Sequence, residues 1–174
     1  MDPYPDHLDR GRHHDLTGRG HQPWVRRIAM VVLGALVVLG LLNVFGQRSE
    51  TTRASGAAAA LEVRGPTKVR GGLLYQERIT VHALQSIQYP RLVLSQGWAD
   101  GLQINTIEPS PQSESTRQGK LVFSYDKLQA GDKLEVWVDY QVNPTHVGTT
   151  DTSVELDNQS TPLVHLERHL VAFP

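Results

Sequence analysis

The sequence contains no cysteine among its 174 residues. This absence excludes a disulfide framework, a thiol nucleophile, lipid attachment through cysteine, and metal sites built from thiolates. Methionine occurs only as Met1 and Met30, so the long segment after residue 46 has no thioether ligand for copper. From Gln47 onward, twelve Lys and Arg stand against fourteen Asp and Glu, a net charge of −2. That balance provides no basic face for nucleic acid.

Motifs of catalysis are also lacking. No Gly-x-Ser-x-Gly or comparable nucleophile motif occurs, and carboxylates such as Asp132 and Glu135 are better explained by solvation than by glycosidase chemistry. We therefore predict that the protein is not an enzyme and binds neither cofactor nor metal. One alternative stays open: His165, Glu167 and His169 recur at period two, and adjacent members could bind one metal. Zinc needs three or four convergent ligands, and the sequence supplies no evident further partner.

One long apolar segment is present, and it is the strongest signal in the chain. Residues 28–45 read IAMVVLGALVVLGLLNVF, eighteen residues without a charge. At about 1.5 Å per residue a helix of this length spans roughly 27 Å, close to the hydrocarbon core of a bilayer. A surface helix of a globular domain would keep a polar stripe, and a cleaved signal peptide would be shorter. The segment therefore predicts a transmembrane signal-anchor helix over residues 28–46, with a cleaved signal and a buried core helix as alternatives.

The flanking charges predict the orientation of this helix. Five arginines precede the apolar segment, and Arg26 and Arg27 adjoin it, whereas three arginines follow within a similar distance. Positive residues stay in the cytoplasm, so residues 1–27 are predicted to lie inside and the rest of the chain outside. The tail has too few apolar residues to bury a core, which predicts a disordered cytoplasmic tail over residues 1–27.

After the anchor, the composition changes twice. Residues 47–60 are small and polar, then rich in alanine, which predicts a linker. From Leu61 onward apolar residues alternate with polar ones, most clearly over residues 133–142, and turn signals such as Gly131-Asp132 separate the runs. Residues 61–174 are thus predicted to form an all-β outer domain, an antiparallel immunoglobulin-like β-sandwich of seven or eight strands.

Residues 130–174 carry a resemblance. A Gly-Asp turn leads to a long alternating strand, an Asn-Pro-Thr-x-x-Gly loop and two closing strands that end near Phe-Pro. The block resembles the end of the immunoglobulin-like outer domain of small single-pass actinobacterial membrane proteins. The matching positions are Gly131, Asp132, Asn143, Pro144, Thr145, Gly148, Phe173 and Pro174. The resemblance implies a fold and a location outside the membrane, but no catalytic residue, because such proteins are mostly uncharacterised.

Two tryptophans are the candidate partner-binding residues. Trp137 shares the polar side of its strand, where an exposed ring would anchor a protein or a sugar, unless a loop covers it or the strand is buried on both faces. Trp98 lies in the turn QGWADG, either as a second anchor or as a plug at the sandwich edge.

These residues lead to one functional expectation with two alternatives. We expect a membrane-anchored interaction protein, an accessory or structural subunit of a cell-envelope assembly that contacts a membrane or envelope protein. The first alternative is a carbohydrate- or cell-wall-binding module that uses Trp98 or Trp137 as a stacking platform. The second is a metal-binding protein or enzyme that uses the last strand.

Overall fold

The computed structural model describes residues 22–42 and 48–173. The chain divides into two units between Gly46 and Gln47. In the first unit, helix α1 spans Gln22–Leu41. It begins before the predicted boundary at residue 28, because Pro23 is tolerated in a first helical turn, where its missing N–H needs no partner. Most of the predicted tail and the end of the predicted span, residues 43–46, lie outside the described residues.

Helix α1 meets the physical requirements for crossing a bilayer. Pro23–Leu41 is long and apolar enough by length and composition, and none of it is buried against other parts of the protein. A membrane anchor and a signal sequence share these properties.

The regular elements of the second unit are strands, apart from one helix of four residues. Residues 48–173 form these elements: β1 Ser49–Ser55, β2 Ala59–Pro66, β3 Lys68–Arg70, β4 Leu74–Ala83, β5 Pro90–Leu94, α2 Gly97–Asp100, β6 Leu102–Glu108, β7 Ser113–Arg117, β8 Lys120–Ser124, β9 Lys133–Val142, β10 Gly148–Asp151, β11 Val154–Asn158, β12 Thr161–Leu166 and β13 His169–Phe173.

The strands make three sheets around one core. The first sheet has the order β1-β2-β4-β9-β6, the second β12-β11-β5-β8-β7, and the third β10-β13-β3. Neighbours pair antiparallel except β13 with β3, which run parallel. The predicted all-β sandwich of immunoglobulin-like type is confirmed. The described strands outnumber the seven or eight predicted, in part because the chain changes sheet at Thr67, at residues 152–153 and at residues 167–168.

The alternation in β9 places its apolar side chains in the core as predicted. Val136, Val138, Tyr140 and Val142 are buried, and they join one cluster with inward-facing residues of the second sheet such as Leu92. Burying one such aliphatic side chain is worth about 1.5–3 kcal/mol, so the facing rows of the sheets stabilise the sandwich without disulfides.

The segment predicted as a linker is instead part of the first sheet. Strand β1 pairs with β2 along its whole length, from Ser49 opposite Pro66 to Ser55 opposite Ala60. Ala59, within the same predicted linker, is fully buried. The sequence of β1, SETTRAS, has no apolar alternation, because β1 is an edge strand whose side chains mostly face solvent. Polar and charged side chains are a common protection of sheet edges.

A buried ion pair ties the end of the domain to the first sheet. Glu77 on β4 faces inward and contacts the guanidinium of Arg168, and both side chains are almost completely buried. Gly65 lies opposite Glu77, and a Cβ there would approach Glu77 Cγ to 2.7 Å, so glycine leaves room for the carboxylate. Arg168 Nη2 also donates to Pro66 O at 3.0 Å. Burial lowers the pKa of Arg168 to about 10, against the opposing effect of Glu50, so the guanidinium stays charged at neutral pH.

Candidate functional site

Trp137 lies at the middle of an open sheet face. It occupies β9, flanked in register by Arg78 on β4 and by Glu108 on β6. Its side of the strand faces away from the core, and 38% of the residue is exposed. The ring is therefore neither covered by a loop nor enclosed between two layers, and it is available to a partner.

Arg78 covers part of the Trp137 ring. Its Cζ lies 5.2 Å from the ring centroid, which is a cation–π contact. Arg78 Nη1 lies 3.9 Å from Glu135 Oε1, and Lys133 Nζ lies 2.5 Å from the same oxygen. The hydrogen bond from Lys133, with the positive charge of Lys133 and Arg78, lowers the pKa of Glu135. Arg78, whose guanidinium lies near the Glu135 carboxylate, thus covers one side of the ring.

The neighbouring carboxylate on β9 is fully engaged. Asp139 Oδ1 accepts a hydrogen bond from Gln76 Nε2 at 2.8 Å, and Oδ2 accepts one from Thr106 Oγ1 at 2.8 Å. These bonds link β4, β9 and β6 on the outer face. We call the set Arg78, Glu135, Trp137 and Asp139 the Trp137 surface. A partner would meet one rigid aromatic ring within a polar border that is already hydrogen-bonded.

Trp98 has the opposite environment. It lies in α2 and has no exposed surface, with its ring edge-on to Tyr140 at 5.4 Å between centroids and an angle of 77°. Close packing holds the turn, because a Cβ on Gly97 would lie 2.1 Å from Asp151 O. The prediction that Trp98 contacts a partner is therefore wrong, because a ring inside the core cannot act as a stacking platform. Trp98 instead fills the core at the edge of the sandwich.

His165, Glu167 and His169 do not form one strand. His165 belongs to β12 of the second sheet and His169 to β13 of the third, because the chain changes sheet between them. All three line a shallow groove of about 300 Å³, where His169 Nε2 lies 3.4 Å from Glu167 Oε1. Within residues 22–42 and 48–173, no three His, Asp or Glu side chains converge as metal ligands. The geometry gives the metal alternative no support.

A carboxylate of that groove responds to the two histidines. Burial opposes the ionisation of Asp151, but hydrogen bonds from the Ser153 hydroxyl and backbone N–H outweigh it. Together with His169 and His165, they lower the pKa of Asp151. The groove is thus a solvated set of polar side chains, as expected of an exposed strand face.

Asp157 is a buried carboxylate that periodicity did not reveal. It lies on β11 with 8% exposure, and its Oδ1 has no hydrogen-bond partner among the described residues. Burial, and then the charge of Glu155, raise the pKa of Asp157, against the opposing charge of Arg117. Asp157 follows Glu155 by two residues, so period two alone would assign both side chains to the solvent-facing side of the strand. Only the packing in the structure shows that Asp157 is buried.

Comparison with known proteins gives only distant structural likeness. No protein-family model and no curated protein matches the sequence. A non-cellulosomal cohesin from the hyperthermophilic archaeon Archaeoglobus fulgidus is similar with 12% identity over 72% of this chain and 92% of that one, at a TM-score of 0.41. CaCohA2 from Clostridium acetobutylicum has 8% identity over 63% and 90%, also at 0.41. TM-scores this low do not establish a relationship. The strand pairing described above is the basis for assigning the sandwich.

Proposed function

We propose that this chain is a membrane-anchored interaction protein whose Trp137 surface binds a protein partner in the cell envelope. In this proposal α1 spans the cytoplasmic membrane as an uncleaved anchor, with the tail inside and the sandwich outside. The sandwich serves as an accessory or structural subunit, and the proposal assigns it no catalytic step. The resemblance of residues 130–174 to outer domains of actinobacterial membrane proteins indicates the kind of cell in which to test it.

The exposed Arg78–Trp137 stack is the observation that carries this proposal. Trp and Arg are the residue types most enriched where binding energy concentrates in protein interfaces. The pair lies on β4 and β9, two interior strands of the first sheet, and β9 adjoins the edge strand β6. Because the ring is held by its neighbours, a partner would lose little side-chain entropy in ordering it.

The same stack favours a protein over a carbohydrate. A sugar stacks on the open face of an aromatic ring, whereas the Arg78 guanidinium lies over the ring of Trp137. Trp98, the other platform considered for a wall-binding module, is buried. The carbohydrate alternative would therefore rely on a single, partly covered ring.

The test is crosslinking in cells with the full-length chain, followed by capture and mass spectrometry. We expect one dominant membrane protein. Trp137→Ala should abolish its capture, because loss of a central interface residue costs about 2 kcal/mol or more, roughly thirtyfold in Kd. Tyr89→Ala is the matched control: Tyr89 is an exposed aromatic residue outside the Trp137 surface, and its replacement should leave capture unchanged.

Two results would count against the proposal. Capture that survives Trp137→Ala would remove Trp137 from the interface. Recovery of wall fragments without a protein, with retention of the chain on purified cell wall, would favour the carbohydrate-binding module instead.

A further inference from the structure

Four large apolar side chains are exposed at one end of the sandwich. Leu73, Leu74, Val147 and Phe173 have exposed fractions of 48%, 68%, 58% and 47%. We call them the terminal apolar cluster. Single exposed apolar residues are normal on a protein surface, whereas several gathered together indicate a contact.

Strand register gathers these residues. The pairing of β10 with β13 places Gly148 opposite Ala172, and Val147 and Phe173 each lie directly beyond this pair. Gly71 N donates to Phe173 O at 3.0 Å, which joins the turn before β4 to the end of β13. Val142 N donates to Leu73 O at 3.1 Å, which joins the same turn to the end of β9. The turn before β4, the segment before β10 and the end of β13 therefore meet at this end, and each carries part of the cluster.

The three segments that carry the cluster contain charges of one sign, although Asp100 of α2 lines a groove with Asn143 and Pro144 at the same end, and Glu50 of β1 pairs with Gly65. Residues 66–74, 141–149 and 170–173 include Lys68 and Arg70, both exposed, and no Asp or Glu. The chain from Gln47 onward carries fourteen acidic residues, so their absence makes these three segments basic within a domain of net negative charge. Apolar side chains with a basic border match the surface of a bilayer that contains anionic lipid.

The chain also enters the domain at this end. Strand β1 begins at Ser49, paired with Pro66, two residues before Lys68. Only residues 43–47 separate Leu42, beside the apolar helix, from Arg48. At no more than 3.3–3.6 Å per residue, six steps of chain reach about 20 Å.

We infer that the terminal apolar cluster docks on the outer surface of the membrane, with its apolar side chains in the headgroup region and Lys68 and Arg70 against anionic lipid. The inference rests on the proposed anchoring of α1. The domain would then be attached to the membrane twice, through α1 and through the terminal apolar cluster. The cluster lies at the end of the sandwich where the chain enters the domain.

The test uses the absence of cysteine, which allows one spin label per molecule. The full-length chain carries Val147→Cys or Leu73→Cys in vesicles of phosphatidylethanolamine and phosphatidylglycerol. Collision of the nitroxide with oxygen, which partitions into lipid, is compared with collision with a polar nickel chelate. We expect the oxygen-to-nickel ratio at both positions to exceed several-fold that of Leu84→Cys. Leu84 is exposed to 55% beside the β1–β2 turn, at the other end of the sandwich, and is the matched control.

Each outcome has a defined meaning. Equal ratios at Val147 and Leu84 overturn the docking while leaving the anchor intact. A loss of both collisions at Val147 indicates cover by protein and also overturns it. Failure of the chain to float with the vesicles after alkaline washing overturns the proposed anchor, and the docking with it. In a second variant, Leu74→Glu should lower the ratio at labelled residue 147, and the fluorescence of buried Trp98 checks that the domain is folded.

Discussion

At the scale of single residues, Glu77 and Arg168 are the most consequential pair in the domain. Each occupies a place that would suit an apolar side chain, and each takes a charge out of water. Such a pair breaks roughly even against apolar replacements, but removing one member leaves an uncompensated buried charge. Stability therefore depends on both residues together.

We expect Arg168→Met to lower the free energy of unfolding by about 3–5 kcal/mol, because Glu77 would be left as a buried, unpaired carboxylate. Glu77→Leu in the same chain should recover most of that loss. Chemical denaturation of the single and double variants measures the coupling. The control is Glu62→Gln, which breaks the exposed ion pair with Arg53 and should cost no more than about 1 kcal/mol. Equal losses at both pairs would contradict this account.

At the scale of secondary-structure elements, β1 defines where the domain begins. Its main-chain pairing with β2 covers seven residue pairs, yet its side chains contribute little to the core. A fragment that starts at Leu61, the boundary predicted from composition, would lose β1 and expose the edge of β2. A fragment that starts at Arg48 would keep both.

We expect the fragment 61–174 to be less stable than 48–174 by about 2 kcal/mol or more, since each lost backbone hydrogen bond is worth roughly 1 kcal/mol net. It should also aggregate through the open edge of β2. Thermal melts and light scattering of the two fragments measure both effects. Arg53→Ala in the longer fragment removes a β1 side chain without removing the strand, and it should leave the melting temperature nearly unchanged. If the shorter fragment proves equally stable, β1 is dispensable.

The elements that the sequence predicts well are those with apolar alternation. Strand β9 and the latter half of β4 bury the side chains that period two assigns to the core, and the outward position of Trp137 follows from the same rule. Strand β1 was missed because an edge strand needs no apolar side. The sequence does not separate Trp98 from Trp137 as partner-binding candidates. Strand periodicity predicts the burial of a residue only within a strand, and Trp98 lies in a turn. The burial of Arg168 is not predicted from the sequence. A charged side chain is buried at low cost only beside a partner, and the partner Glu77 is distant in the sequence.

At the scale of the whole molecule, the apolar helix and the sandwich predict one arrangement across the membrane. We expect Ser160→Cys to react with a membrane-impermeant maleimide on intact cells and Thr17→Cys to react only after permeabilisation, because the arginines before the span favour the cytoplasm. Gel analysis of the labelled chain also reports its length. Labelling of Thr17→Cys on intact cells would invert the orientation, and a product lacking the first residues would show that the helix is a cleaved signal.

The Glu77–Arg168 pair also makes the first sheet depend on the last part of the domain. The hydrogen bond from Arg168 to Pro66 joins residues separated by 102 positions, so it forms only when nearly the whole domain has been synthesised. Until then Glu77 has no counter-charge, and the first sheet cannot exclude water from it without a large cost. A partly synthesised domain that lacks Arg168 is therefore expected to be less stable around Glu77 than the complete domain. The first sheet reaches its full stability only when Arg168, the residue just before β13, supplies the counter-charge of Glu77.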